Sequence, residues 1–119
     1  MGPSMDTYRD TVRRRDQEEA RREQRRRRAG RMAARRIARR LRQDYDVSTV
    51  RLFGSLVGME PLGPRTDIDI AVEGLPADQY FEAVAMVQGM ADAFSVDLIR
   101  EEQAPQSLRD EIKREGVTL

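Results

Sequence analysis

The chain has 119 residues, with 22 basic and 21 acidic side chains and neither cysteine nor histidine. That length holds one domain with a modest core. The missing residue types exclude disulfides, thiolate zinc sites, a cysteine nucleophile and any histidine-based triad, and leave hard oxygen atoms as the available ligands. No apolar run approaches the ~20 residues of a membrane span and no secretory signal is visible, so the expected compartment is the cytoplasm. The net charge of +1 conceals a division. Residues 1–43 hold 16 arginines and 6 acids, whereas residues 44–119 hold 6 basic residues and 15 acids. A basic head on an acidic body is an asymmetry that suggests a partner.

From about Asp6 to Arg42 the chain has no proline and a single glycine, Gly30, and is rich in the helix formers Arg, Glu, Gln and Ala. Residues 6–28 carry almost nothing apolar beyond Tyr8, Val12 and Ala20, so they read as a solvated helix or as disorder. Acid–arginine pairs four residues apart, Asp10 with Arg14 and Glu18 with Arg22, favour helix. From Met32 onward a stripe emerges. Ala33, Ile37 and Leu41, with Ala34 and Ala38 beside them, predict one core-facing side, with Arg35, Arg36, Arg39, Arg40 and Arg42 turned outward. The reading therefore divides the chain into a basic extension, 1–29, and a domain, 30–119. The run Arg25–Arg28 suits a solvated helix end or docking on an acidic partner or RNA. Any nucleic-acid contact there would be electrostatic, because Tyr8 is the only aromatic residue nearby.

Val47–Phe53 reads as a first strand, followed by Gly54-Ser55 and a loop, Leu56–Arg65, rich in glycine and proline. Asp67–Val72 reads as a second strand, which Gly74-Leu75-Pro76 ends. A helix is predicted over 77–92, with Phe81, Val84, Gln88, Ala91 and Phe94 along one side and Val87 and Met90 beside them. Ser95–Arg100 reads as a third strand. A last helix begins at Pro105, carries Leu108 and Ile112 four apart, places Lys113 and Arg114 at its negative end and stops at Gly116. The expected fold class is α/β (α+β): a small mixed sheet with helices packed on it and a long basic N-terminal helix.

On the second strand Asp67 and Asp69 alternate with Ile68, Ile70 and Val72, so both carboxylates share one face. Two strand residues span roughly 6.6 Å, close enough for both carboxylates to approach one metal ion or a pair of ions. Gly54 allows close approach of the backbone to a phosphate, and Ser55 adds a hydroxyl. Asp97 stands alone between Val96 and Leu98 on the third strand.

The order Leu-Phe-Gly54-Ser55, eleven intervening residues, then Asp67-Ile-Asp69-Ile-Ala-Val resembles the signature of the DNA polymerase β-like nucleotidyltransferases. With the ending Val-Asp97-Leu-Ile and Leu-Arg-Asp-Glu-Ile-Lys-Arg-Glu-Gly-Val, the chain looks most like the minimal nucleotidyltransferases, many of them antitoxins of HEPN/MNT pairs. The resemblance covers about residues 30–119. It implies the nucleotidyltransferase fold, and Asp67, Asp69 and Asp97 as catalytic residues that ligate Mg²⁺. It implies Gly54 and Ser55 as nucleotide-binding residues, ATP as substrate, and a HEPN-family RNase toxin as the protein whose hydroxyl receives AMP, with an oligomer formed together with that partner. A binding-only antitoxin and a small-molecule nucleotidyltransferase of the aminoglycoside type are the alternatives. The chain departs from the family after Gly54-Ser55, where relatives carry a basic residue and another glycine. Leu56-Val57-Gly58-Met59 offers no positive charge, which implies a weaker hold on triphosphate. Ninety-odd residues also leave no room for template-binding domains, so single transfer is expected rather than polymerisation.

Overall fold

The computed structural model describes residues 4–63, 65–91 and 93–119. Pro64, assigned above to the loop, and Asp92, assigned to the end of the middle helix, lie outside the described residues. The chain forms α1 (Met5–Asp44), β1 (Thr49–Phe53), β2 (Ile68–Glu73), α2 (Tyr80–Met90), β3 (Val96–Arg100), α3 (Gln106–Glu115) and a two-residue β4 (Val117–Thr118). A 3-10 turn, Gly54–Leu56, directly follows β1. The sheet order is β3-β2-β1-β4, with β2 and β3 parallel and the other pairs antiparallel. This is the mixed sheet with packed helices that the sequence predicts.

Helix α1 is one unbroken element of 40 residues, capped by the Ser4 hydroxyl, which accepts from the Thr7 amide at 3.2 Å. At 1.5 Å per residue it runs about 60 Å, which accounts for most of the molecule's 70 Å length. Its inner half buries Ala33, Ala34, Ile37, Ala38 and Leu41, the stripe read from the sequence, together with Gly30. A Cβ on Gly30 would lie 2.9 Å from a Leu56 methyl, so glycine lets α1 close on the 3-10 turn. Residues 4–22 are exposed throughout. The division expected between residues 29 and 30 falls inside this continuous helix.

The strands alternate, so the sheet has two unlike faces. Val50 and Leu52 of β1, Ile68, Ile70 and Val72 of β2, and Val96 and Leu98 of β3 join α1 and α2 in the main core. The opposite face is thinner: Phe53, Ala71 and Ile112 form a small buried group, with Ile99 and Leu108 beside them. In α2 the buried residues are Ala83 and Val87, whereas Phe81 is 82% exposed. Val84, Ala91 and Phe94 of the predicted side, with Val87 and Met90 beside them, pack against the main core, and Phe81 is the member of that side that turns outward. The pairing of β4 with Arg51 and Leu52 of β1 adds a strand too short to be read from periodicity.

On the thin face, away from Asp67 and Asp69, Arg51 Nη1 donates to Glu73 at 2.6 Å and to Glu101 at 2.5 Å. Glu101 is 2% exposed, and burial, reinforced by Glu73, pushes its pKa up. Its Oε1 has no hydrogen-bond partner among the described residues. Removing one partner of such a buried cluster costs more than removing the whole. Arg51→Met should therefore lower stability by about 3–5 kcal/mol in urea denaturation at pH 7. The loss should shrink as pH falls, because burial favours the protonated form of Glu101, and it should also shrink in Arg51→Met/Glu101→Gln.

Candidate active site

The register of the sheet builds the site. Phe53 pairs with Asp69 across β1 and β2, and Asp69 pairs with Asp97 across β2 and β3. The two aspartates therefore lie side by side on adjacent strands, on the thin face. Asp67 precedes β2 by one residue and keeps the same alternation. The residue after Phe53 is Gly54, with φ +78°, a left-handed conformation that L side chains rarely adopt. A Cβ there would overlap the Asp69 carboxylate and sit 3.1 Å from its Cγ. Glycine is required at this point twice over, by its backbone angle and by the carboxylate packed against it. The sequence-level reason for Gly54, room for a phosphate, thus has a second, structural companion.

Asp67 and Asp97 are exposed and Asp69 is half-buried. Burial, then the charges of Asp97 and Asp67, raise the Asp69 pKa from 3.8 to about 6. The three carboxylates that the sequence singles out thus share one electrostatic field. Among the described residues no three Asp, Glu, His or Cys side chains are grouped so as to hold a metal ion. The donor set nonetheless fits a hard divalent cation: three carboxylates, no nitrogen or sulfur ligand, two of the three exposed and free to turn, and mutual repulsion that a cation would relieve.

Ser55 is exposed at the centre of the 3-10 turn. A cleft of about 680 Å³ beside it is lined by Phe53, Gly54, Ser55, Gly58, Glu111 and Glu115, among others. Thr66, the neighbour of Asp67, is buried and donates its hydroxyl to the Gly63 carbonyl at 2.9 Å, so it shapes the loop rather than the cleft.

Residues far back in α1 hold the loop between the turn and β2. Arg27 Nη1 donates to the carbonyls of Ser55, at 3.0 Å, and Gly58, and its Nη2 donates to Glu60 at 2.5 Å. Arg31 donates to Leu56 at 2.8 Å and Val57 at 3.3 Å. Arg26 donates to Gly63 at 3.1 Å, and the Glu23 carboxylate accepts from the Leu62 amide at 2.8 Å. Sequence reasoning missed these residues. Nothing in a run of arginines marks which of them turn inward, and the partners lie 25 to 39 positions away.

Residues 35–119 match the family profile described as polymerase beta nucleotidyltransferase. The chain belongs to this family. Among solved structures, nucleotidyltransferase relatives include the toxin–antitoxin MntA–HepT, with 23% identity, a TM-score of 0.56, and coverage of 74% of this chain and 69% of that one. A tyrosine-to-alanine mutant of the same complex gives 26% identity, a TM-score of 0.59, and coverage of 71% and 68%. A structure described as a minimal nucleotidyltransferase gives 22%, 0.60, and coverage of 75% and 91%. No curated protein matches the sequence closely enough to be called a relative. The resemblance read from Gly54-Ser55 and Asp67-x-Asp69 is thus confirmed at the level of family and fold. Arg26, Arg27 and Arg31 lie before residue 35, where the nucleotidyltransferase match begins.

The raised Asp69 pKa fixes a pH dependence. A carboxyl whose pKa is about 6 in the folded chain and 3.8 otherwise binds more protons folded than unfolded between those values. Stability therefore falls as pH rises from about 4 to about 6 and stays lower above that. Asp69→Asn should abolish this contribution and raise the melting temperature at pH 7. Urea denaturation of both proteins across that range checks it, the expected outcome being a flatter profile for the variant.

Proposed function

We propose that this nucleotidyltransferase transfers AMP from ATP to a hydroxyl of a partner protein, a HEPN-type RNase toxin, in a Mg²⁺-dependent reaction, and so acts as an antitoxin. One observation carries the reading: Asp69 lies between Asp97 on the next strand and the Gly54 turn, with Asp67 on the same face, in a chain of this family. The toxin–antitoxin complexes among the structural neighbours support the choice of partner.

In this reading Asp67, Asp69 and Asp97 hold the cation. Bound there, a divalent ion neutralises the triphosphate and lowers the pKa of the attacking hydroxyl. The Gly54–Leu56 turn receives phosphate on its backbone, and Ser55 offers its hydroxyl. The acceptor oxygen bonds to the α-phosphorus, the bond from that phosphorus to the β-phosphate oxygen breaks, pyrophosphate leaves, and the hydroxyl proton passes to solvent. The exposed outer part of α1 serves as the partner-facing extension. Residues 4–28 carry ten arginines against six acids, an excess whose field reaches roughly 8 Å at physiological salt and can steer an acidic surface. We take the working compartment to be the cytoplasm; no described helix is long and apolar enough to cross a membrane.

A second reading, masking of the toxin without transfer, is favoured by one feature of the cleft. Glu111 and Glu115 line it, and the segment from Ser55 to Gly63 has no basic residue of its own.

Both readings meet in one experiment. Incubation of the purified chain with [α-³²P]ATP, Mg²⁺ and the HEPN-type protein should label that protein, and the Asp67→Asn/Asp69→Asn variant should leave it unlabelled. Neutralisation of toxicity by the unlabelling variant, measured as growth in cells expressing both proteins, would instead make masking the function.

A further inference from the structure

Residues 55–60 and 63 form the connection that carries the proposed phosphate-binding turn toward the carboxylate strand. Such a connection is glycine-rich and exposed, and on its own it would sample many conformations, at an entropic cost to any ligand that needs one of them. Here six of its carbonyls are taken up by three guanidinium groups of α1, those of Ser55, Gly58 and Glu60 by Arg27 alone. A planar fork can serve several acceptors from one fixed position, which a lysine cannot. The Arg27 side chain is only 12% exposed and is itself steadied by Glu23 at 3.7 Å. Leu56 adds an apolar anchor: it is fully buried and sits against Gly30.

A trans peptide points its carbonyl and the following amide in opposite directions. Drawing the carbonyls of Ser55, Leu56, Val57 and Gly58 toward α1 therefore turns the amides of residues 56 to 59 away from it. One of them, Val57, returns to the Gly54 carbonyl and closes the 3-10 turn. Successive backbone amides facing one way form an anion-binding concavity.

We propose that Arg27 and Arg31, which lie before the family-matching region, are positioning residues for the nucleotide. They act on it through the loop carbonyls rather than by touching it, and they supply from α1 the order that the loop's own sequence lacks. This rests on the nucleotidyltransferase reading of the Gly54 turn. It goes further in assigning part of the substrate-binding machinery to the arginine-rich helix and in separating its inward guanidinium groups from outward ones such as Arg28.

The test compares the full chain with Arg27→Ala, Arg27→Lys, Arg31→Ala and, as a control of equal charge change, Arg28→Ala. Hydrogen exchange reads the clamp without any ligand. Amides of residues 55–63 should exchange on the order of tenfold faster in both alanine variants of the inward residues, with the β1–β3 amides and the melting temperature little changed. Arg27→Lys should behave like Arg27→Ala, because the charge survives but the fork does not. Equilibrium binding of Mg·ATP should weaken about tenfold in the same three variants and remain as wild type in Arg28→Ala, with KM rising and kcat at saturating ATP preserved. Unchanged exchange in Arg27→Ala and Arg31→Ala would overturn the clamp. Faster exchange with unaltered nucleotide affinity, or equal weakening in Arg28→Ala, would overturn the positioning role. If the wild-type chain binds no nucleotide at all, the proposed substrate is wrong and the positioning role falls with it, whereas the exchange data still report the clamp.

Discussion

The pairing of Phe53 with Asp69 is the constraint on which the rest of the site depends. It sets Gly54 against the Asp69 carboxylate, and the parallel pairing of β2 with β3 then sets Asp97 beside the same residue. A slip of one residue between β1 and β2 would turn Asp69 into the main core and Ile68 and Ile70 to the thin face. Register is therefore held by the hydrophobic contrast between the two faces. The face that α1 and α2 cover takes every large branched residue of β2, and the face that α3 covers in part is left for charge.

That partition has an electrostatic consequence. The thin face carries carboxylates at both ends of β2, and they are managed differently. Arg51 compensates Glu73 and Glu101 within the fold. Among the described residues no ion pair compensates Asp69, and burial together with the neighbouring acids pushes its pKa up. Neighbouring carboxylates that repel one another beside a glycine turn are an arrangement suited to binding a cation.

The parts of the site that were legible in the sequence are those encoded locally. Asp67 and Asp69 announce themselves by alternating with Ile68, Ile70 and Val72, and Asp97 by its isolation between Val96 and Leu98; the register sets Asp69 and Asp97 side by side, with Asp67 one residue before β2. The buried stripe of α1 was legible because Ala33, Ile37 and Leu41 repeat at the helical period. In α2 the sequence shows the side that carries Val84, Val87 and Ala91 to the core, but not that Phe81, at its first turn, faces outward. The role of Arg27 and Arg31 was invisible for a different reason. Sixteen arginines precede residue 44, and only the fold shows that these two face the loop. Helix propensity accounts for the existence of α1, but the tertiary position of the loop accounts for its functional content.

In the proposed function Asp67, Asp69 and Asp97 jointly hold a divalent cation beside the Gly54 turn. Substoichiometric Mn²⁺ added to isotopically labelled protein tests it most directly, because paramagnetic broadening of backbone resonances falls off steeply with distance. The account predicts selective loss of the signals of Gly54, Ser55, Asp67–Asp69 and Asp97, reversed by excess Mg²⁺ and absent in Asp69→Asn. Broadening centred instead on Glu111 and Glu115, or spread evenly over the acidic surface, would contradict it.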